Sequence, residues 1–201
     1  MTENIRKLFQ ESIDTKKEIV ESGCFSVLAI MGDIIKTSIL NGGKLMLCGN
    51  GGSAADAQHL AAEMLVRLRP NNNREGIPAL ALTQDTSTIT ACGNDFGYEK
   101  LFERMVQTIG CDGDVLLGIT TSGNSENVNL ALKAAKKLNI TTLGFLGGDG
   151  GTAITLCEQV FLVPSSNTGR IQESHITAGH ALMENIEDNL IEQGFLHLDD
   201  I

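Results

Sequence analysis

The stretch Leu45-Met46-Leu47-Cys48-Gly49-Asn50-Gly51-Gly52-Ser53-Ala54-Ala55-Asp56-Ala57-Gln58-His59-Leu60-Ala61-Ala62-Glu63 decides the fold. A short apolar run, 45–48, meets a glycine turn and opens an amphipathic segment. This pattern reads as strand, turn, helix. Such a turn presents unpaired backbone N–H groups at a helix start, which suits a phosphate. His59 and Glu63 stand at i and i+4. They share a helix face and can converge on one metal ion or one substrate proton. A phosphate cradle beside such a pair points to an enzyme acting on a phosphorylated small molecule.

The same alternation extends through the chain. The runs 44–48, 79–83, 114–120, 141–146 and 159–164 are β-prone, and helical patterns occupy 53–67, a segment around 87–108, 125–138 and 151–157. Strands alternating with helices make an α/β fold, a parallel sheet covered on both faces. The pattern leaves the strand order open. Residues 170–193 read as one long terminal helix, and 5–20 and 27–40 as two leading helices stopped at Asn41-Gly42-Gly43. These three helices are not needed for the alternation, and their apolar stripes predict an oligomer interface rather than a cap on the sheet. Pro70-Asn71-Asn72-Asn73 is a loop, and no linker divides the chain. The expectation is one domain over 1–201, with a helical extension, 1–41, on an α/β core, 44–201.

Bulk properties narrow the function classes. A net charge of −10 disfavours nucleic acid or an anionic membrane as partner, so an anionic substrate must be held by local donors. With no tryptophan and 4% aromatic residues, the core is aliphatic. Cys24, Cys48, Cys92, Cys111 and Cys157 show no CxxC spacing and read as free thiols in a reducing compartment. The first ten residues lack an apolar signal core, and no run is long enough to span a bilayer, so the cytoplasm is the expected location.

The first glycine loop is neither a Walker A motif nor GxGxxG, which disfavours a nucleotide. A second loop, Gly118-Ile119-Thr120-Thr121-Ser122-Gly123-Asn124-Ser125, also joins an apolar run to a helix. Ser125 there would serve as an ordinary N-cap. One cap needs one hydroxyl, and Thr120, Thr121, Ser122 and Ser125 supply four. Neutral hydroxyls and backbone N–H groups can wrap phosphate oxygens without a lysine.

A third constellation is Arg170-Ile171-Gln172-Glu173-Ser174-His175-Ile176-Thr177-Ala178-Gly179-His180. On a helix, Gln172 and His180 lie about 80° apart around the axis, a gap that a long glutamine can close. His175 lies about 140° from His180, which separates the two imidazoles. His197 falls near an end that reads as disordered. Asn94-Asp95, within Cys92-Gly93-Asn94-Asp95-Phe96-Gly97, reads by composition as turn chemistry. Arg67 and Arg69 read as solvated cations at a helix C-terminus.

Taken together and in order, these motifs resemble the sugar isomerase (SIS) domain family, and within it the phosphoheptose isomerases. The resemblance covers nearly the whole chain. It implies a three-layer α/β sandwich with a five-stranded parallel sheet of flavodoxin-like type, assembled as a homotetramer with sites built from more than one subunit. A sugar phosphate is expected near Asn50, Gly51, Gly52 and Ser53 and near Thr120, Thr121, Ser122 and Ser125. Asn94 and Asp95 match positions at the substrate site. His59, Glu63, Gln172 and His180 match the divalent-metal and catalytic positions, with zinc the usual ion. The implied reaction converts sedoheptulose 7-phosphate to D-glycero-D-manno-heptose 7-phosphate through an enediol, for lipopolysaccharide heptose synthesis, with Glu63 and His180 as acid/base residues. Thr120 replaces a frequent serine, and the loop Ser165-Ser166-Asn167-Thr168-Gly169 lacks an acidic residue that some members carry.

Two other readings are open at this level. Some SIS tetramers bind the replication initiator DnaA as scaffolds, but their pattern lacks the Glu63 carboxylate and the His180 imidazole. Other SIS enzymes act on different sugar phosphates and lack this metal set as a whole.

Overall fold

The computed structural model describes residues 2–198. Its strands are β1 (Leu45–Gly49), β2 (Ala79–Ala81), β3 (Val115–Thr120), β4 (Thr141–Gly147) and β5 (Gln159–Val163), in one parallel sheet of order β2-β1-β3-β4-β5. The helices are α1 (Thr2–Glu21), α2 (Phe25–Leu40), α3 (Gly52–Leu65), α4 (Thr86–Asp95), α5 (Leu101–Ile109), α6 (Glu126–Lys137) and α7 (Thr168–Glu192). This is the three-layer α/β sandwich that the motif order implies. β1 and β3 are buried along their whole length, as strands covered on both faces must be.

Side-chain alternation sorts the strands between two cores. Leu45, Leu47, Leu117 and Phe145 join α2, α3 and α7 through Met31, Ile35, Leu60 and Ile186. Met46, Cys48 and Leu116 join α5 and α6 through Phe102, Val106 and Leu132. No single helix among the described residues is long and apolar enough to cross a membrane.

Several expectations need correction. α2 is a layer of the sandwich: Met31 and Ile35 are fully buried by the sheet and α7. One face of its apolar surface is therefore covered within the chain, because the sheet face under α3 and α7 needs a third helix, while Phe25, Ile30 and Leu40 stay exposed. α1 is different. Only Ile19 is buried, while Ile5, Phe9 and Val20 face outward. The 151–157 segment forms only a 3-10 turn, Thr152–Thr155. Its start at Gly151 has φ +49°, outside the range of a helix. The 87–108 segment breaks at Gly97, where φ is +91°, giving α4, a turn at Tyr98–Lys100 and α5. His197 is not loose: its N–H donates to Glu75 Oε2 at 3.1 Å, and Leu198 forms an antiparallel bridge with Arg74.

Candidate active site

The strand order creates the crevice. From β1 the chain moves outward to β2, whereas from β3 it moves the other way to β4. Ligands of open α/β sheets bind at such a reversal, beyond the carboxyl ends of the strands. The two loops at this point are the two glycine-rich motifs, held side by side by the pairing of Gly49 with Ile119. Gly51 turns the first loop at φ +56° and ψ −118°, conformational space that only glycine enters without strain. No side chain caps α3; the Ser53 and Ala54 N–H groups turn back to the carbonyls of Asn50 and Gly51 at 3.0 and 3.1 Å, which leaves the Gly52 N–H at the helix start for the crevice.

The second loop is built differently from expectation. Ser125 holds the N-cap position of α6 but makes no capping bond. Its Oγ instead pairs with Thr120 Oγ1 at 3.0 Å. Asn127 Oδ1 accepts the Val128 N–H at 3.0 Å, taking over one orphan donor of the helix start. The hydroxyls of Thr120 and Ser125 thus stay directed at each other on the crevice side, with Thr121 beside them and Ser122 exposed. Gly123 lies against the 148–151 loop. A Cβ there would sit 1.9 Å from the Gly150 carbonyl oxygen, at φ +66°. Gly123→Ala therefore displaces one loop or the other. The expected result is a loss of about 1–3 kcal/mol in unfolding free energy by denaturant titration.

Two helices bring the chemistry together. α3 and α7 approach closely because Gly179 leaves room for Leu60, whose Cδ1 would lie 2.7 Å from any Cβ. His59 Nε2 then meets His180 Nε2 at 2.8 Å, and Glu63 Oε1 lies 3.3 Å from His59 Nε2. The donor atoms of His59, Glu63 and His180 all fall within 4.8 Å of one another. Two imidazole nitrogens and a carboxylate aimed at one point need a shared proton or cation between them. This donor set fits a divalent transition metal. His175 lies elsewhere, as the helix angle predicts: it is fully buried and its Nε2 meets the Leu146 carbonyl at 3.1 Å.

Asp56 was not legible as a site residue. Its Oδ2 is buried without a partner. Burial raises its pKa, while the nearby His59 and His180 pull the other way. The usable signal was spacing, since Asp56 precedes His59 by three positions and shares its face. Tyr98 was also missed. Its hydroxyl donates to Asn50 Oδ1 at 2.9 Å.

The remaining candidates are less convergent. Gln172 places its amide against Gly52, with Nε2 2.4 Å from where a Cβ would stand, about two helical turns before His59. Ser53 is buried beneath the first loop. Asn94 and Asp95 sit in the last turn of α4, not in a loop, and Asn94 Nδ2 donates to Asp95 Oδ1 at 2.7 Å. Asp95 also lines a cavity of about 350 Å³ with Thr88, Phe96 and Arg104. Arg69 is not a solvated cation. It pairs with Glu187 and Asp188 of α7.

The model of the SIS domain family matches residues 8–147. A phosphoheptose isomerase of Aquifex aeolicus (strain VF5) is 48% identical over 193 residues, covering 96% of this chain and 100% of that protein. This chain belongs to the phosphoheptose isomerase family of SIS domains. Two solved phosphoheptose isomerase structures share its fold. The one from Neisseria gonorrhoeae, GmhA, superposes with a TM-score of 0.87 at 40% identity, covering 93% of this chain and 98% of that one. The one from Francisella tularensis gives 0.88 at 34% identity over the same shares.

Proposed function

We propose that this chain interconverts sedoheptulose 7-phosphate and D-glycero-D-manno-heptose 7-phosphate, supplying heptose for lipopolysaccharide. The observation that carries this reading is the convergence of His59, Glu63 and His180 on one point, on helices that start at the switch-point crevice. The phosphate would lie between Asn50, Gly51, Gly52 and Ser53 on one side and Thr120, Thr121, Ser122 and Ser125 on the other. Asn94 and Asp95 would reach the sugar hydroxyls.

The reaction moves one proton between C1 and C2 and one between their oxygens. Glu63 takes the carbon-bound proton and returns it to the neighbouring carbon. His180 handles the proton on the oxygens, as donor and then acceptor. Zinc, held by His59, Glu63 and His180, would polarise the carbonyl and align the two oxygens, and Gln172 would join the ligand set by turning its amide away from Gly52. A scaffold that only binds another protein has no need of three converging ligand side chains, which weighs against that alternative.

The site is open in one chain. The His59 side chain is 49% exposed, and α1 carries Phe9 and Val20 on its uncovered face. Both features support a homotetramer in which neighbouring subunits close the site. Residues 1–201 act as one domain, in the cytoplasm, without nucleic acid or membrane as partner.

An isomerisation assay with sedoheptulose 7-phosphate tests the proposal. Turnover falls on chelation and returns with zinc. Turnover indifferent to chelation removes zinc from the mechanism. No turnover with any metal shifts the reading to another sugar phosphate or to the scaffold.

A further inference from the structure

Asn50 is joined to two residues that no substrate-site motif includes. Asn50 Nδ2 donates to Asn127 Oδ1 at 2.8 Å, and Asn127 Nδ2 donates back to Asn50 Oδ1 at 2.8 Å. The two carboxamides form a closed, reciprocal pair across the crevice, from the loop after β1 to the start of α6. Tyr98 Oη donates to the same Asn50 Oδ1 at 2.9 Å. Asn127 is 4% exposed, so its hydrogen bonds do not compete freely with water.

The orientation of every group in this chain is dictated from one end. The Val128 N–H is a fixed donor, and it requires an oxygen at Asn127 Oδ1. The amide nitrogen of Asn127 must then face Asn50, which requires Oδ1 there and Nδ2 opposite Asn127 Oδ1. Both lone-pair positions of each amide oxygen are filled, Asn127 Oδ1 by Val128 and Asn50, Asn50 Oδ1 by Asn127 and Tyr98. One proton of Asn50 Nδ2 is left to donate elsewhere. The chain also ties three motifs together. Asn50 belongs to the first loop, Asn127 follows Ser125 of the second by two positions, and Tyr98 follows Asp95 by three.

We infer that Asn127 and Tyr98 are positioning residues that act through Asn50, fixing the gap between the two loops and the direction of the Asn50 amide. The inference rests on the proposed isomerase reading. Neither residue needs to touch the substrate. Asn127 sets the width of the crevice from the α6 side, and Tyr98 holds the Asn94-Asp95 segment at its mouth.

The test is a double-mutant cycle on the metal-loaded protein, with Asn127→Ala, Tyr98→Phe and the pair. Kinetic constants on sedoheptulose 7-phosphate are read beside thermal midpoints and a calorimetric Kd for the same sugar. Each single variant is expected to lower kcat/KM about tenfold, mainly through KM and Kd, the loss associated with one hydrogen bond. Because both act through Asn50, the double variant falls no further than Asn127→Ala alone. Asn127→Asp keeps the size but sets a buried carboxylate oxygen against Asn50 Oδ1, so it lowers the thermal midpoint as well as kcat/KM, whereas Tyr98→Phe, at an exposed ring, lowers kcat/KM with a near-native midpoint. A wild-type protein that neither binds nor turns over the sugar overturns the isomerase reading itself. Active wild type with singles within twofold, or with losses that multiply independently, overturns only the positioning role. Losses that follow the thermal midpoints alone also overturn it.

Discussion

Glu63→Gln lowers kcat on sedoheptulose 7-phosphate by about 10²–10⁴-fold, the range that a positioned general acid or base supplies. The substitution keeps the size of the side chain and removes its capacity to accept a proton. Glu63 lies in the last turns of α3, and its carboxylate is turned toward His59. Its backbone carbonyl is separately held by Arg74 Nη2 at 2.9 Å. The helix end therefore keeps its anchor when the side chain changes, and the thermal midpoint should move little.

Glu63 also belongs to the ligand cluster, so loss of activity alone does not isolate the proton transfer. Two further measurements do. Metal content after dialysis shows whether glutamine still retains the ion. Exchange of substrate hydrogen with solvent deuterium reports the proton transfer directly. With metal bound, the variant is expected to lose exchange in proportion to kcat. Exchange that persists at the wild-type rate while turnover falls would move the base elsewhere, and Asp56, with its unpartnered oxygen near both histidines, is then next in line.

The five strands were legible because strands of a two-faced parallel sheet read as unbroken apolar runs. Their order was not, since the length of a crossover does not say on which side of β1 the next strand lands. The helix bounds were legible where a glycine or asparagine stopped the pattern, as at Asn41. They failed around 87–108, which was read as one helical segment with turn chemistry at Asn94-Asp95. Gly93 stays inside α4 with open space around it, and the break falls at Gly97. The two leading helices were read alike, yet α1 carries nine charged residues and is mostly exposed, while α2 carries two and is a core layer. That contrast in charge was the usable signal, since a helix apolar nearly all round is a buried one.

In the site, the pair His59 and Glu63 was legible because i,i+4 spacing is local. That His180 would join them depended on Gly179 admitting Leu60, a fit between two helices that no local spacing encodes. Ser125 looked like a cap because its residue type and position were right for one. The bond went to Thr120 instead, because Asn127 satisfied a helix donor in its place.

Glu187 had no sequence signal at all, and its loss should be the most destabilising single change considered. It is buried on α7 and accepts from Arg74 Nε at 2.5 Å, Arg69 Nε at 2.5 Å and Asn72 Nδ2 at 2.9 Å, partners 113 to 118 residues away. Burial would push its pKa up, but the hydrogen bonds from Arg74, Arg69 and Asn72 outweigh this and hold it below the usual carboxylate range. Removing the charge leaves the Arg74 guanidinium, 1% exposed, without an anion. Breaking one side of a buried pair costs about 3–5 kcal/mol. Glu187→Gln should therefore lower the unfolding free energy by that amount in a denaturant titration at neutral pH. A depressed carboxylate pKa contributes stability that is present above the unfolded value, near 4.3, and is lost as pH falls through the folded value. The gap between wild type and variant should hold from pH 7 to about 5 and narrow below it. A gap under about 1 kcal/mol at pH 7 would place the pair among those that contribute little. The effect also reaches the site, because Arg74 carries the carbonyls of Glu63 and Met64 at 2.9 and 3.1 Å. Freed from Glu187, Arg74 loses its hold on the end of α3, and the loss of activity should follow the loss of stability. Glu63→Gln does the reverse, losing turnover with its thermal midpoint nearly unchanged, and this opposite order separates the group that moves the proton from the network that holds it in place.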